Sequence, residues 1–286
     1  MVEFVRIAEM GPRDGLQNEK RLVPTAEKIR LVDLLSDCGF QMIEATSFVS
    51  PRWVPQMADA AEVMAGIRRA PGAVYAVLVP NMKGYEAARA AKAGEVAVFA
   101  SASETFSRRN INCSIAESLE RFRPVLAAAA ADGIPVRGYV SCITDCSYEG
   151  PIQPAAAVKV VTELLDMGCY EISLGDTTGQ GTPATIAAML DAVLEAVPAG
   201  RLAGHYHDTG GRALDNILVS LEKGLRTFDA AVGGLGGCPF AVGANGNVDT
   251  LAVAAMLAGR GYETCLDMER LEEVARFAGS LREERP

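Results

Sequence analysis

The stretch Thr25-Ala26-Glu27-Lys28-Ile29-Arg30-Leu31-Val32-Asp33-Leu34-Leu35-Ser36-Asp37-Cys38-Gly39-Phe40-Gln41-Met42-Ile43-Glu44-Ala45-Thr46-Ser47-Phe48 holds one complete helix-to-strand unit. Ile29, Leu31, Val32, Leu34 and Leu35 lie along one apolar side, which predicts a helix over Thr25–Cys38. Thr25 is the expected N-cap, and Gly39 the residue that ends the helix at C′. The short apolar run Met42–Phe48 that follows reads as a strand.

The same alternation recurs along the chain. Strands are predicted at Val5–Met10, Met42–Phe48, Val74–Val79, Glu95–Ala100, Val136–Ser141, Tyr170–Gly175, Leu202–His207 and Phe228–Val232. Stretches with helical periodicity fill the gaps. Pro154–Gly168 and Pro183–Val197 both begin with proline, as helix starts allow. Strands alternating with helices in this number predict an α/β chain folded as a (β/α)8 TIM barrel. A doubly wound open sheet fits less well, because no Gly-x-Gly-x-x-Gly turn follows the first strand. No linker divides the sequence, so residues 1–286 are read as one catalytic domain. A C-terminal helical extension over about 260–286, with a helix at Met268–Arg282, is expected to pack on the barrel.

Hydrophobic residues make up 49 % and charged residues 22 %, the balance of a globular protein with a large core. A net charge of −9 argues against general nucleic-acid binding and requires any polyanionic ligand to find a local basic cluster. The opening Met1-Val2-Glu3-Phe4-Val5-Arg6 lacks a signal-peptide pattern, and no apolar run reaches membrane-span length. The expected location is therefore cytoplasmic. Seven scattered cysteines suit buried thiols better than a disulfide framework.

In a TIM barrel the C-terminal ends of the strands converge on one mouth. Polar residues gather at those ends. Strand 1 runs into Gly11-Pro12-Arg13-Asp14-Gly15, and strand 2 carries Glu44, with Thr46 and Ser47 beyond. Strand 6 ends in Ser173-Leu174-Gly175-Asp176-Thr177. Strand 7 carries His205, His207 and Asp208. Strand 8 leads into Gly233-Gly234-Leu235-Gly236-Gly237-Cys238-Pro239 and then Gly243-Ala244-Asn245-Gly246-Asn247. The only two histidines of the chain stand at i and i+2, the spacing that puts both imidazoles on one face of a strand. Each group alone has a structural reading, as a solvated turn or a helix cap. Together they point to a metal-dependent site. A mixed set of carboxylate, imidazole and amide oxygen without thiolates suits Mg²⁺ or Mn²⁺ with open positions for water or substrate.

The runs Gly11–Lys20, Ile43–Pro51, Asn110–Ile115, Arg137–Cys142, Gly168–Thr177 and Gly234–Pro239 closely resemble motifs of the 3-hydroxy-3-methylglutaryl-CoA (HMG-CoA) lyase family, within the metal-dependent lyase TIM barrels. The resemblance spans roughly Val5 to Ala258. It implies that Asp14, His205, His207 and Asn247 bind the divalent cation. It also implies that Arg13 stabilises an enolate oxygen, that Cys238 acts in proton transfer, and that Glu44 and Asp176 support the arginine and the ligand set. The implied reaction is cleavage of HMG-CoA to acetyl-CoA and acetoacetate, as in leucine degradation and ketone-body formation. Asp14 or His205 is the expected base, so Arg13, Asp14, Cys238, His205 and Glu44 form the expected catalytic set. Arg13, Ser47, Ser173, Asp176 and Lys20 are the expected substrate contacts. Lys20, Lys83, Arg108 and Arg109 are candidates for the CoA phosphates. The partner is thus a small acyl-CoA, and a homo-oligomer is expected.

Several positions depart from the family pattern. Tyr206 lies between the histidines, and Gly210-Gly211-Arg212 replaces Tyr-Gly-Gln. Asn245 replaces a serine, Asp249-Thr250-Leu251-Ala252 replaces Ala-Thr-Glu-Asp, and Asp145 and Ser147 replace a glycine and a proline. Ordinary drift and a shifted branched 3-hydroxyacyl-CoA substrate are both open readings of these changes. So are a Claisen-condensing relative, a silent metal- or CoA-binding regulator and, weakly, a thiol-redox protein built on Cys142 and Cys146.

Overall fold

A computed structural model of the chain describes residues 2–238 and 241–282, without the side chains of residues 237–238 and 241–245. Eight parallel strands close a barrel: β1 (Arg6–Glu9), β2 (Met42–Ser47), β3 (Val74–Leu78), β4 (Glu95–Ser101), β5 (Val136–Ser141), β6 (Glu171–Asp176), β7 (Leu202–Tyr206) and β8 (Thr227–Ala230). They pair in chain order, and β8 against β1 closes the ring. Helices alternate with them: α1 (Thr25–Ser36), α2 (Ala60–Gly66), α3 (Met82–Ala90), α4 (Glu104–Ile111), α5 (Ile115–Asp132), α6 (Pro154–Asp166), α7 (Pro183–Leu194) and α8 (Ala213–Glu222). Beyond β8 come α9 (Thr250–Gly259) and α10 (Met268–Ser280). This is the (β/α)8 architecture that the alternation predicts.

Two apolar layers hold it. Ala8, Met10, Met42, Ala76, Leu78, Ala97 and Tyr139 fill the barrel. The larger layer, with Ile7, Leu31, Val96, Val125, Ile172 and Phe228, lies between strands and helices. Thr25 is not the cap of α1. Pro24 holds the N-cap position, and the Thr25 hydroxyl instead donates to Asp59 at 2.7 Å. A carboxylate from the neighbouring segment is the stronger acceptor, and Lys28 also reaches it at 2.7 Å. The chain leaves α1 through Gly39, whose φ is +92°. The last predicted strand stops early, at Ala230, because Val232–Gly234 turns sharply, with φ of +64° at Gly233 and +59° at Gly234.

The C-terminal segment packs on the barrel. Helix α10 lies against α1, α9 and the Val232–Gly234 turn, and Tyr262–Glu263 pairs in parallel with Glu3–Phe4. Among the described residues no helix is long and apolar enough to cross a membrane.

Candidate active site

Two local irregularities aim the side chains at the mouth. After β1 the backbone forms one π-helical turn, Gly11–Gly15, a rare geometry in which Pro12 needs no donor and Arg13 and Asp14 project side by side. In β2 the pairing with β3 slips between Glu44 and Thr46, a bulge of the kind that redirects a side chain. The Arg13 guanidinium lies between the two acids, its Nε donating to Glu44 at 2.5 Å and its second nitrogen to Asp14 at 2.5 Å. His205 sits near the end of β7, its Nε2 3.7 Å from Asp14 Oδ2. His207, two residues on, forms a single bridge with Asn247, whose amide nitrogen donates to Asp14 at 2.8 Å. The ligand atoms of Asp14, His205 and His207 all lie within 4.8 Å of one another.

The electrostatics suit a cation. Burial works to raise the Asp14 carboxyl, but Arg13, then His205 and His207, outweigh it and hold Asp14 well below the usual carboxylate range. Burial and the neighbouring His205 push His207 down to about 4, so its ring is neutral at pH 7 and keeps a lone pair. Its Nδ1 is buried with no hydrogen-bond partner among the described residues. Burial opposes protonation of His205, yet the bond to Asp229 and that group's charge raise it. A carboxylate that must ionise, a neutral imidazole and an orphaned ring nitrogen are the donors a divalent cation needs.

Sequence reasoning missed what lies beneath. Asp229, in the middle of β8, takes His205 Nδ1 at 3.1 Å, Ser173 Oγ at 2.7 Å and two nitrogens of Arg137 at 3.0 and 2.8 Å. Arg137 is fully buried and also donates to Glu171 at 2.8 Å. The Tyr139 ring lies between the two guanidiniums, 5.5 Å from Arg13 and 5.3 Å from Arg137. A signal was present: an arginine and an aspartate inside otherwise apolar strands require partners.

Over this cluster opens a cavity of about 750 Å³. Arg13, Asp14, Ser173, His205, His207 and Asn247 line it, with Glu44 buried behind Arg13. Val49, Phe99, Arg109 and Tyr148 also line it, as does the lone Trp53, 82 % exposed. Three expected substrate contacts are not brought to the cavity. Lys20 is exposed elsewhere, and Ser47 is buried in β2. Asp176 points to the helix layer, where its carboxylate accepts the Gly181 amide at 2.9 Å. Burial pushes its carboxyl up to about 6. Of the basic candidates for CoA, Arg109 reaches the cavity and Lys83 and Arg108 do not. The side chain of Cys238 lies outside the described residues.

Of the departures from the family pattern, Tyr206, Gly210, Arg212, Leu251 and Asp145 sit off the cavity, and the Asn245 side chain lies outside the described residues. Tyr206 is buried in the helix layer and shares a 2.7 Å bond with Ser220. Arg212 donates to the carbonyls of Gly181 and Gln180, each at 3.3 Å, and a Cβ at Gly210 would come within 2.9 Å of it. Gly210 and Arg212 therefore belong together, and a side chain at the first would displace the second. Leu251 packs on the core between strands and helices, and Asp145 accepts from Thr178 at 3.2 Å. Of the described cysteine side chains, five are buried and Cys265 is exposed, all as free thiols.

Comparison with known proteins agrees with this arrangement. The HMGL-like family model matches residues 4–278. A zebrafish protein named 3-hydroxy-3-methylglutaryl-CoA lyase, cytoplasmic, is 58 % identical over 96 % of this chain and 82 % of its own. The solved HMG-CoA lyase of Brucella melitensis superposes with a TM-score of 0.97 at 67 % identity, covering 98 % of this chain and 99 % of that one. An HMG-CoA lyase from Acinetobacter baumannii, solved in complex with coenzyme A and 3-methylmalate, matches at a TM-score of 0.93 and 38 % identity, over 98 % of this chain and 91 % of that one. With its barrel and nearly its whole length in common with these proteins, the chain belongs to the HMGL-like family.

Proposed function

We propose that this protein is a divalent-metal-dependent carbon–carbon lyase that cleaves 3-hydroxy-3-methylglutaryl-CoA to acetyl-CoA and acetoacetate. The observation that carries the reading is the convergence of Asp14, His205 and His207 within 4.8 Å, beside Arg13, at the floor of a cavity of about 750 Å³. The same residues stand in a chain that shares 58 % of its sequence with a named HMG-CoA lyase.

Asp14, His205, His207 and Asn247 would hold the cation, with Mg²⁺ or Mn²⁺ the ions this oxygen-and-nitrogen set suits. When bound, the cation acidifies the substrate's tertiary hydroxyl, as it would a water. Asp14 or His205 takes the hydroxyl proton, both being within reach of one point over the cluster. Cleavage of the C–C bond then leaves a thioester enolate. Arg13, fixed by Glu44 and Asp14, presents a positive charge where that oxygen develops, and fixed charge costs no reorganisation during the step. Cys238, on the glycine-rich segment past β8, is assigned the protonation of the enolate carbon. Ser173 is assigned to the substrate as the one expected hydroxyl contact on the cavity wall. We read residues 1–286 as one catalytic domain, cytoplasmic and assembled as a homo-oligomer. The departures at 206, 210, 212 and 251 lie off the cavity, which favours this substrate over a differently branched one.

The test is acetoacetate release from HMG-CoA in Mg²⁺ or Mn²⁺ with a thiol reductant, against an EDTA-treated control. Metal-dependent release is expected. Tight Mn²⁺ binding without release would overturn the substrate, and no Mn²⁺ binding would overturn the ligand set.

A further inference from the structure

Glu9, the last residue of β1, is fully buried on the outer side of the barrel and makes no ion pair among the described residues. A carboxyl in such a place needs a full set of donors. It has three, and each comes from a different part of the mouth. Oε1 accepts the Gly11 amide at 2.8 Å and the Val232 amide at 2.9 Å. Oε2 accepts the Thr250 hydroxyl at 2.7 Å. Gly11 opens the turn that carries Arg13 and Asp14. Val232 starts the turn that leaves β8. Thr250 begins α9, three residues after Asn247. The approach is close enough that a Cβ on Gly11 would lie 2.6 Å from Glu9 Oε1.

Other ties run at this level, among them the backbone bond from Met10 N to Ala230 O at 2.8 Å and that from Asn247 Nδ2 to the Leu235 carbonyl at 3.5 Å. The segment after Asn247 is stitched to the end of β8 by backbone bonds, from Ala231 N to Val248 O at 3.0 Å and from Thr250 N to Ala231 O at 3.3 Å. The turn at Gly11 meets Asn247 through the 2.8 Å contact to Asp14. Glu9 is the side chain that touches all three segments from behind, next to the Met10–Ala230 backbone bond.

We propose that Glu9 is a positioning residue for the cation site: its carboxyl sets the distance between the Arg13–Asp14 turn and the Val232 and Thr250 segments, and so fixes Asp14 against Asn247. The inference rests on the assignment of Asp14 and Asn247 as ligands. It is a claim about reach rather than charge. Glutamine keeps the reach: its oxygen can take both amides while its nitrogen donates to the Thr250 hydroxyl, which can turn to accept. Aspartate, one methylene shorter, keeps the charge and loses the reach.

The experiment measures Mn²⁺ affinity by titration calorimetry, with kcat and KM alongside, for the parent protein and for Glu9→Gln, Glu9→Asp and Asp14→Asn. The parent binding one Mn²⁺, with Asp14→Asn binding none, tests the ligand assignment by itself. Given that, Glu9→Asp is expected to weaken Mn²⁺ about 10-fold, the lower range for groups that orient metal ligands, and to lower kcat more than it raises KM. Glu9→Gln is expected to stay within about 3-fold of the parent, by the preserved hydrogen bonds. A Glu9→Asp protein with lowered Tm but parental Mn²⁺ affinity overturns the proposal, because that is the signature of a purely structural carboxyl. Equal loss in Glu9→Gln and Glu9→Asp overturns it as well, because charge would then matter. Should Glu9→Asp fail to fold, Thr250→Val removes one of the three bonds and is read the same way, with unchanged Mn²⁺ affinity counting against the proposal.

Discussion

The barrel carries a charged network at each end, and the two are built from the same residue types. At the lower end Arg6, Glu95, Arg137, Tyr170 and Glu171 lie at or near the starts of their strands, with Asp229 farther along β8. At the mouth Arg13, Asp14, Glu44, His205, His207 and Asn247 do the same at the other end. The lower network is the more fully paired: Arg137 spends its nitrogens on Glu171, Asp229 and the Tyr139 hydroxyl, and Glu95 Oε1 is its one buried carboxylate oxygen without a partner among the described residues. The mouth is open. Among the described residues Glu44 Oε1 and His207 Nδ1 are buried without partners, and a cavity stands over the rest. Closed pairing stabilises a position, whereas incomplete pairing beside a cavity leaves capacity for a ligand. Asp229 belongs to both, taking Arg137 on both carboxylate oxygens and His205 on Oδ2.

The strongest way to break the contrast is Asp14→Asn. It keeps the shape of the mouth and removes its central charge. Turnover is expected to fall roughly 10³-fold or more, since metal activation of the hydroxyl would go with it, while Tm stays near the parent value. A kinetic assay beside a melting curve decides; a variant with near-parental kcat would show that the mouth does not work as assigned.

Asp229→Ala removes the shared member and is expected to damage both ends. Leaving Arg137 buried beside a lost partner should cost about 3 kcal/mol of folding stability, and freeing the His205 ring should weaken Mn²⁺ binding. Denaturant unfolding and calorimetry read the two effects separately. Loss of stability with unchanged Mn²⁺ affinity would mean that the networks are independent.

The smallest effect sharpens the contrast from below. Burial pushes Glu95 up to about 7, although Arg137 and the Tyr170 hydroxyl pull the other way. A carboxyl whose folded pKa lies above its unfolded value favours the folded state at low pH. That contribution is whole below about 4.5 and is lost as the pH rises to about 7. Glu95→Gln should therefore be more stable than the parent at pH 8 by about 2 kcal/mol and no more stable at pH 4. Unfolding curves at pH 4, 6 and 8 check this. A variant less stable at pH 8 would mean that ionised Glu95 is held by the arginines after all.

Much of this was legible in the sequence, for identifiable reasons. The barrel follows from local periodicity, and Thr25–Phe48 already holds its repeating unit. The mouth residues cluster in short runs, so Arg13, Asp14, His205 and His207 could be read from neighbours in the chain. Asp176, an expected substrate contact, stands one position off the cavity-facing set. Side chains alternate along β6, so Ser173 and Gly175 face the cavity and Asp176 faces the helices. Ser47 follows the bulge in β2, where alternation cannot be extrapolated from Glu44. The sequence flags Asp229 and Glu9 as acids in apolar strands but not their partners, which are distant: His205 is 24 residues from Asp229, and Val232 is 223 from Glu9. No window of sequence contains such a pair.

The 2.8 Å contact between Asn247 and Asp14 spans 233 residues, across the β8–β1 seam that closes the ring. A growing chain emerges from the ribosome with Asp14 well ahead of its partners, and must grow by 233 residues more before Asn247 exists to join it. Joining the ends of so long a segment carries an entropy cost that later packing must offset. A nascent or truncated chain can therefore assemble helix-and-strand units yet present no complete ligand set. Catalysis, in this protein, is an accurate report that the last strand has arrived.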